Sequence, residues 1–169
     1  MNGETINGDI MDIISTNSYP SNSLSNFAAH PFTFRGFEVN SMEGFLQRLK
    51  FKSPEMQAEV FKLVGRAAKK KGSGKNWRES QTLYFQGTPI KRQSQEYQDL
   101  LDEAYEELFK NVKFKNALLS TKGSKLTHSI GRTNPKETVL TRSEFCGRLT
   151  KLRDKGWLTE KNNPNKSLF

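Results

Sequence analysis

Between Ser94 and Phe109 lies the pattern that most restricts how this chain can fold. Tyr97, Leu100, Leu101, Ala104, Tyr105, Leu108 and Phe109 recur at helical spacing, while Glu96, Asp99, Asp102, Glu103, Glu106 and Glu107 take the other face. A helix that is apolar on one side and acidic on the other must lay its stripe against something. Other segments have to supply that core. With 169 residues there is room for one core and not two comfortable ones. Mean hydropathy is low at −0.75, but twelve Phe, four Tyr and two Trp provide the bulk to close it.

The remaining segments read as follows. The stretch up to Ser25 is rich in Asn, Ser and Gly, and Ile10 to Ile14 alternates as in a short strand. Phe32 and Phe34, then Phe37 and Val39, flank Arg35-Gly36 as two strands around a tight turn. Ser41 caps a helix with Met42, Phe45, Leu46 and Leu49 as its stripe. Ser53 and Pro54 open another, whose stripe Met56, Val60, Val64, Ala67, Ala68 is expected to end at Lys69-Lys70-Lys71-Gly72-Ser73-Gly74. A shorter helix holds Phe114, Ala117 and Leu118. Thr141 and Glu144 have capping-box spacing, and Phe145, Leu149 and Leu152 continue that helix to an expected stop at Gly156. The expectation is a mostly helical α+β fold: one domain over residues 1–158 with a short N-terminal strand region, then a polar tail over 159–169.

Charge is distributed unevenly. No Lys or Arg occurs before Arg35, so the remaining 135 residues carry all 27 basic side chains against 15 acids. Such a field attracts phosphate-bearing ligands without saying which, and basic solvated helices produce the same excess. One cysteine excludes a disulfide framework, and two distant histidines make a structural zinc site a poor expectation. The apolar runs are too short to cross a membrane. A cytoplasmic setting is expected.

The segment Ser41–Phe51 is the most informative for function. At 100° per residue, Glu43, Gln47 and Lys50 fall within about 60° of one another, beside the apolar stripe. Gly44 and Arg48 take the far side, where a solvated face is expected. A carboxylate, an amide and an amine at the edge of a core are the materials of a cleft, and also of an ordinary boundary face. Lys71-Gly72-Ser73-Gly74-Lys75 invites a phosphate-loop reading, but Asn76 follows the lysine and no strand precedes it. Trp77 beside Lys75 and Arg78 is placed equally well for stacking on a base or for core packing. His128 suits a structural role or a ligand contact. Cys146 reads as an inert thiol.

Ser25-Asn26-Phe27, Glu43-x-x-x-Gln47-x-x-Lys50-Phe51, and Trp77 after a basic turn resemble the NADAR superfamily, also called YbiA-like. Those proteins carry a Ser-Asn-Phe segment, a Glu-His-x-x-Gln-x-x-Lys-Phe helix and a later Asp-Trp. The resemblance extends over residues 20–155, through Leu126 to Leu149 and Arg153. Two positions depart from it. Gly44 replaces the histidine after the glutamate, and His128-Ser129-Ile130-Gly131-Arg132-Thr133-Asn134 stands where an Asp-x-x-Trp-Gly segment is usual. Glu137 to Phe145 resembles a phage-associated branch of the superfamily.

What the resemblance implies is a hydrolase of N-glycosidic bonds to ribose, without cofactor or metal. Its implied substrates are phosphorylated ribosylamino-pyrimidines or ADP-ribose on guanine, so the partner is an anionic nucleotide-like small molecule or ADP-ribosylated nucleic acid. In that chemistry Glu43 is a general acid/base whose pKa is raised by a cleft wall of Phe45 and Phe27. Lys50 attacks C1 as a neutral amine, or else holds a phosphate while water attacks an oxocarbenium ion. Gln47 and Asn26 hydrogen-bond the ribose, Trp77 stacks on the base, and Ser25 and His128 complete the contacts. The alternative is a non-catalytic nucleotide, ADP-ribose or nucleic-acid binding module, served by Lys113-Phe114-Lys115.

Overall fold

The structure, a computed structural model, describes residues 9–161. In chain order these form β1 (Ile10–Asp12), α1 (Ser21–Leu24), β2 (Phe32–Phe34), β3 (Phe37–Val39), α2 (Met42–Arg48), α3 (Pro54–Phe61) and α4 (Gly65–Ser73). There follow α5 (Trp77–Ser80), β4 (Thr82–Phe85), β5 (Thr88–Lys91), α6 (Gln95–Leu108), α7 (Val112–Leu119), β6 (Lys125–Thr127) and α8 (Arg142–Lys161). It is a single α+β domain dominated by helices, as expected.

Local chemistry places most boundaries. Ser41 Oγ accepts from Gly44 N at 3.0 Å, Ser53 Oγ from Met56 N at 3.3 Å, and Ser94 Oγ from Tyr97 N at 3.1 Å. The Thr141–Glu144 box closes reciprocally: Thr141 N donates to Glu144 Oε1 at 2.8 Å and Glu144 N to Thr141 Oγ1 at 3.2 Å. Both hairpins turn on an X-Gly pair in the left-handed region, with φ of +48° and +86° at Arg35-Gly36 and +50° and +83° at Gln86-Gly87. β1 pairs in parallel with β6, so the N-terminal strand is closed by residues more than a hundred positions downstream.

α2 occupies the centre. Every residue from Ser41 to Leu49 is buried, and α3 and α4 pack across it. The stripe of α6 lies fully buried against α8, β2 and β5, while its acidic face is bound outward: Arg35 bridges Glu103, and Arg148 bridges Asp102.

Three expectations about the chain path are corrected. The helix opened by Ser53 does not run to Ala68 but breaks into α3 and α4 around Lys62–Val64, with Gly65 at φ +53°. The terminal carbonyls of α3 are taken from outside. Asn40 N donates to Phe61 O at 2.9 Å, Asn40 Nδ2 to Lys62 O at 2.9 Å and Ser41 Oγ to Leu63 O at 2.9 Å. In consequence Lys69–Lys71 and Gly72 lie inside α4 rather than in a flexible turn. At the other end, α8 passes through Gly156 to Lys161, because that glycine admits Phe109: a Cβ there would stand 2.5 Å from Phe109 Cζ. The expected tail from 159 thus begins as helix, and 162–169 lie outside the described residues, as do 1–8.

The far side of α2 is likewise not solvated. Gly44 faces the end of α3, where a Cβ would stand 2.6 Å from Leu63 O and 3.0 Å from Val60 O. A histidine does not fit there without moving the backbone at Val60 and Leu63. Arg48 is 0% exposed, its guanidinium over the Phe61 ring at 4.0 Å and the Phe85 ring at 4.1 Å. Two aromatic faces replace water around that cation.

Candidate active site

One face of α2 opens onto a pocket of ≈ 360 Å³. Its floor comes from α2 and the turn that follows it: Glu43, Leu46 and Gln47 of the helix, and Lys50. Ser25, Asn26 and Phe27 follow α1 and form one wall, Lys69 of α4 and Trp77 of α5 a second. His128 and the loop as far as Leu140, with Phe145 of α8, complete the enclosure. The structure therefore brings Ser25, Asn26, Phe27, Glu43, Gln47, Lys50, Trp77 and His128 to one cavity.

Phe45 is not among them. It is 0% exposed and packs edge-on to Phe34, ring centroids 4.8 Å apart, and beside Phe32. Two residues beyond Glu43 means a turn of about 200°, toward the opposite side of α2, whereas Leu46 at three residues returns to within about 60°. Leu46 and Phe145 are the apolar wall that Phe45 was expected to provide.

The central pair is Glu43 and Gln47. Gln47 Nε2 donates to Glu43 Oε2 at 2.7 Å, an i,i+4 contact along the buried face. Burial pushes the Glu43 carboxyl above its ordinary range, opposed by the Gln47 bond and more weakly by Lys69, Lys50 and His128. Burial also pushes the Lys50 amine down to about 8, with Glu43 opposing and Arg78 and Lys69 assisting. A carboxyl and an amine, each shifted by burial toward its neutral form, thus face the same cavity.

Asn26 ties this pair to the rest of the fold. Its backbone O accepts from Glu43 N at 3.0 Å, and its Oδ1 accepts from the buried Tyr105 hydroxyl at 2.8 Å. With Oδ1 engaged, the Asn26 amide is oriented to offer Nδ2 as a donor. Phe27 N donates to Ser25 Oγ at 3.1 Å, closing the Ser-Asn-Phe turn. His128 Nδ1 donates to Ile13 O at 2.7 Å, which leaves Nε2 as an acceptor in the neutral ring. Trp77 is 3% exposed and serves both core and pocket wall, so the two readings of it are not exclusive.

Beyond His128, sequence reasoning missed the loop that runs on to Leu140, which lines the pocket with Ile130, Gly131, Arg132, Glu137, Thr138, Val139 and Leu140. Side chains from α5, α6 and α8, with Gln81 and Arg92 beside β4 and β5, hold its carbonyls. Arg78 Nε donates to Glu137 O at 3.1 Å, Gln81 Nε2 to Lys136 O at 2.9 Å and Arg92 Nε to Thr138 O at 2.8 Å. Tyr97 Oη donates to Val139 O, and Arg142 Nη2 to Ser129 O at 2.6 Å. No local signal announces such a wall, since each anchor lies tens of residues from the carbonyl it holds or on the following helix. Lys69 and Arg132 bring two cations to the cavity beside Lys50. Among the described residues, no three His, Cys, Asp or Glu side chains cluster as metal ligands, and no helix is long and apolar enough to cross a membrane.

The fold is YbiA-like. The solved structure of Escherichia coli YbiA superimposes with a TM-score of 0.60 at 18% identity, covering 92% of this chain and 89% of that one. The chain belongs to the bacteriophage protein GP30.3 family, whose profile matches residues 18–154. A relative from Enterobacteria phage T4, an uncharacterized 17.1 kDa protein of the Gp30-rIII intergenic region, is 39% identical over 149 residues, which is 85% of this chain and 97% of the relative.

Proposed function

We propose that this phage protein is a NADAR-type N-glycosidase, cleaving the C–N bond between ribose and the base of a phosphorylated or ADP-ribosylated substrate. The observation that carries the reading is the shared cavity of Glu43 and Lys50, with burial raising the acid and lowering the amine. Cleavage of a ribosyl C–N bond requires a proton for the departing nitrogen and a partner for the cationic C1 carbon. Protonated Glu43 supplies the first. The neutral Lys50 amine supplies the second: Nζ bonds to C1 as the C1–N bond breaks and the base leaves with the Glu43 proton. The Glu43 carboxylate then takes a proton from the new C–N linkage and passes it to the ring oxygen as the C1–O bond breaks, leaving a protonated Schiff base. Water adds to C1, giving a proton to Glu43, and the sugar leaves as its aldehyde with Lys50 restored.

The surroundings suit that chemistry. Asn26 Nδ2 and His128 Nε2 offer a donor and an acceptor to sugar hydroxyls, Trp77 and Phe27 offer rings to a base, and Lys69 and Arg132 offer charge to phosphate. The test is incubation with ADP-ribosylated guanine DNA, NAD and a ribosylamino-pyrimidine phosphate, followed by mass spectrometry for released sugar. Release by the wild type and its loss in Glu43→Gln supports the reading. Tight binding of one ligand with no release from any, and no effect of Glu43→Gln, favours the binding module instead.

A further inference from the structure

The Lys-Gly-Ser-Gly-Lys segment has no place in the chemistry above, and as a phosphate loop it fails. Its first glycine has another use. Gly72 lies in the last turn of α4 and is buried against α2, where a Cβ would stand 2.0 Å from Gln47 Oε1, 3.0 Å from Gln47 Cδ and 3.2 Å from Gln47 Cβ. Alanine is the better helix former at such a position, so a bare Cα here reflects the approach of the two helices. Gly74, two residues on, has nothing within 4 Å of the corresponding point.

The consequence concerns Gln47. Its Nε2 is committed to Glu43 Oε2 at 2.7 Å, and its buried Oε1 has no hydrogen-bond partner among the described residues. No second hydrogen bond therefore fixes the amide plane. What holds it is the α4 backbone at Gly72 on one side and the Glu43 carboxyl on the other. We propose that Gly72 is a positioning residue of the site: by bringing α4 against Gln47 without a side chain, it keeps the Gln47 amide on the Glu43 carboxyl. A methyl group at 72 overlaps the Gln47 amide, and the Glu43 carboxyl at 2.7 Å blocks retreat on the far side, so the Gln47 side chain has to change rotamer and Nε2 leaves Glu43. The inference rests on Glu43 as the proton donor for its functional meaning, but not for its geometry.

The experiment needs no substrate. The Glu43 carboxyl is titrated by carbon NMR in protein labelled at glutamate, its signal assigned by its disappearance in Glu43→Gln. Amide donation lowers a carboxyl pKa, so Gly72→Ala is expected to raise the Glu43 midpoint by ~0.5–1 unit, with Gly74→Ala unchanged. In a Gln47→Ala background, where the atoms at 2.0 and 3.0 Å are gone, Gly72→Ala is expected to leave the midpoint where Gln47→Ala put it. If Gly72→Ala alone does not fold, the double variant is expected to fold. A folded Gly72→Ala that titrates Glu43 as the wild type does overturns the proposal, as does a double variant no better folded than the single one. Where the wild type releases sugar, Gly72→Ala is expected to lower kcat and shift the acid limb of its pH profile with KM little changed. An inactive wild type with the expected titration shifts overturns the glycosidase reading and keeps the positioning role.

Discussion

Gln47 and Glu43, one helical turn apart on α2, share a 2.7 Å hydrogen bond in a site where Glu43 is 9% and Gln47 5% exposed. That bond moderates a carboxyl which burial otherwise pushes toward its neutral form. It sets the terms for what substitution at Glu43 does both to turnover and to stability.

Glu43→Gln keeps the shape and the acceptor for the Gln47 amide, but carries no transferable proton. Turnover is expected to fall ~10²–10⁴-fold with ligand affinity retained. Stability moves the other way. A carboxyl raised above its unfolded value binds a proton in the folded state that the unfolded chain has released, so folding is penalised as pH rises through that window. The melting temperature of Glu43→Gln is expected to exceed that of the wild type above neutral pH, with the gap closing toward pH 4. Thermal melts across pH measure this, and a constant or inverted gap refutes it.

Lys50, with its amine near 8, makes a covalent route accessible at neutral pH. Borohydride added during turnover is expected to trap a sugar adduct on the peptide that holds Lys50, and Lys50→Arg is expected to remove both adduct and activity. The productive form carries one proton, on Glu43 rather than Lys50. kcat/KM should therefore rise through the raised pKa of Glu43 and decline above about 8. Turnover without a trapped adduct leaves the oxocarbenium route, with Lys50 on the phosphate.

Among the described residues none donates or accepts a hydrogen bond with the three side-chain nitrogens of Arg48, which lies wholly buried between Phe61 and Phe85. A buried charge without hydrogen bonds carries a desolvation penalty that an apolar side chain of similar volume does not. Arg48→Met is expected to raise the urea midpoint, whereas Arg48→Ala lowers it through the cavity it leaves. A destabilised Arg48→Met would mean that the aromatic faces fully replace the lost hydration.

The Arg92–Glu144 pair holds the loop that closes the pocket. Arg92 Nη2 meets Glu144 Oε1 at 2.6 Å and Nη1 meets Oε2 at 3.0 Å, with the Arg92 side chain 1% and the Glu144 side chain 13% exposed. Burial alone would raise the Glu144 carboxyl, but Arg92, Gln98 and the Thr141 N–H together hold it below the ordinary range. An acid depressed in this way stabilises the fold above its unfolded value and loses that contribution as pH falls through the folded one. Glu144→Ala strands the guanidinium and is expected to cost ~3–5 kcal/mol in chemical denaturation near neutral pH, and much less near pH 3.

Much of the local structure was legible. The serine caps, the Thr141–Glu144 box, the Arg35-Gly36 turn and the α6 stripe are short-range devices, each settled by residues within a turn or two of one another. The Glu43-Gln47-Lys50 face was legible for the same reason, since helical periodicity alone puts the three side by side. The β4–β5 hairpin carried an equally local signal at Gln86-Gly87, and it went unused.

Sequence by itself determined which segments coil, where they are capped, and that an acid, an amide and an amine share one face. Tertiary structure decided what that face meets. The break between α3 and α4 follows from Asn40 and Ser41 reaching across to the α3 carbonyls, and the burial of Arg48 follows from two rings supplied by other elements. The pocket wall from His128 to Leu140 is held by side chains of α5, α6, α8 and the Gln81 and Arg92 positions beside β4 and β5. The reason is one of range: propensity and capping act between neighbours in the chain, whereas desolvation depends on every atom that packing brings near, whatever its distance in sequence.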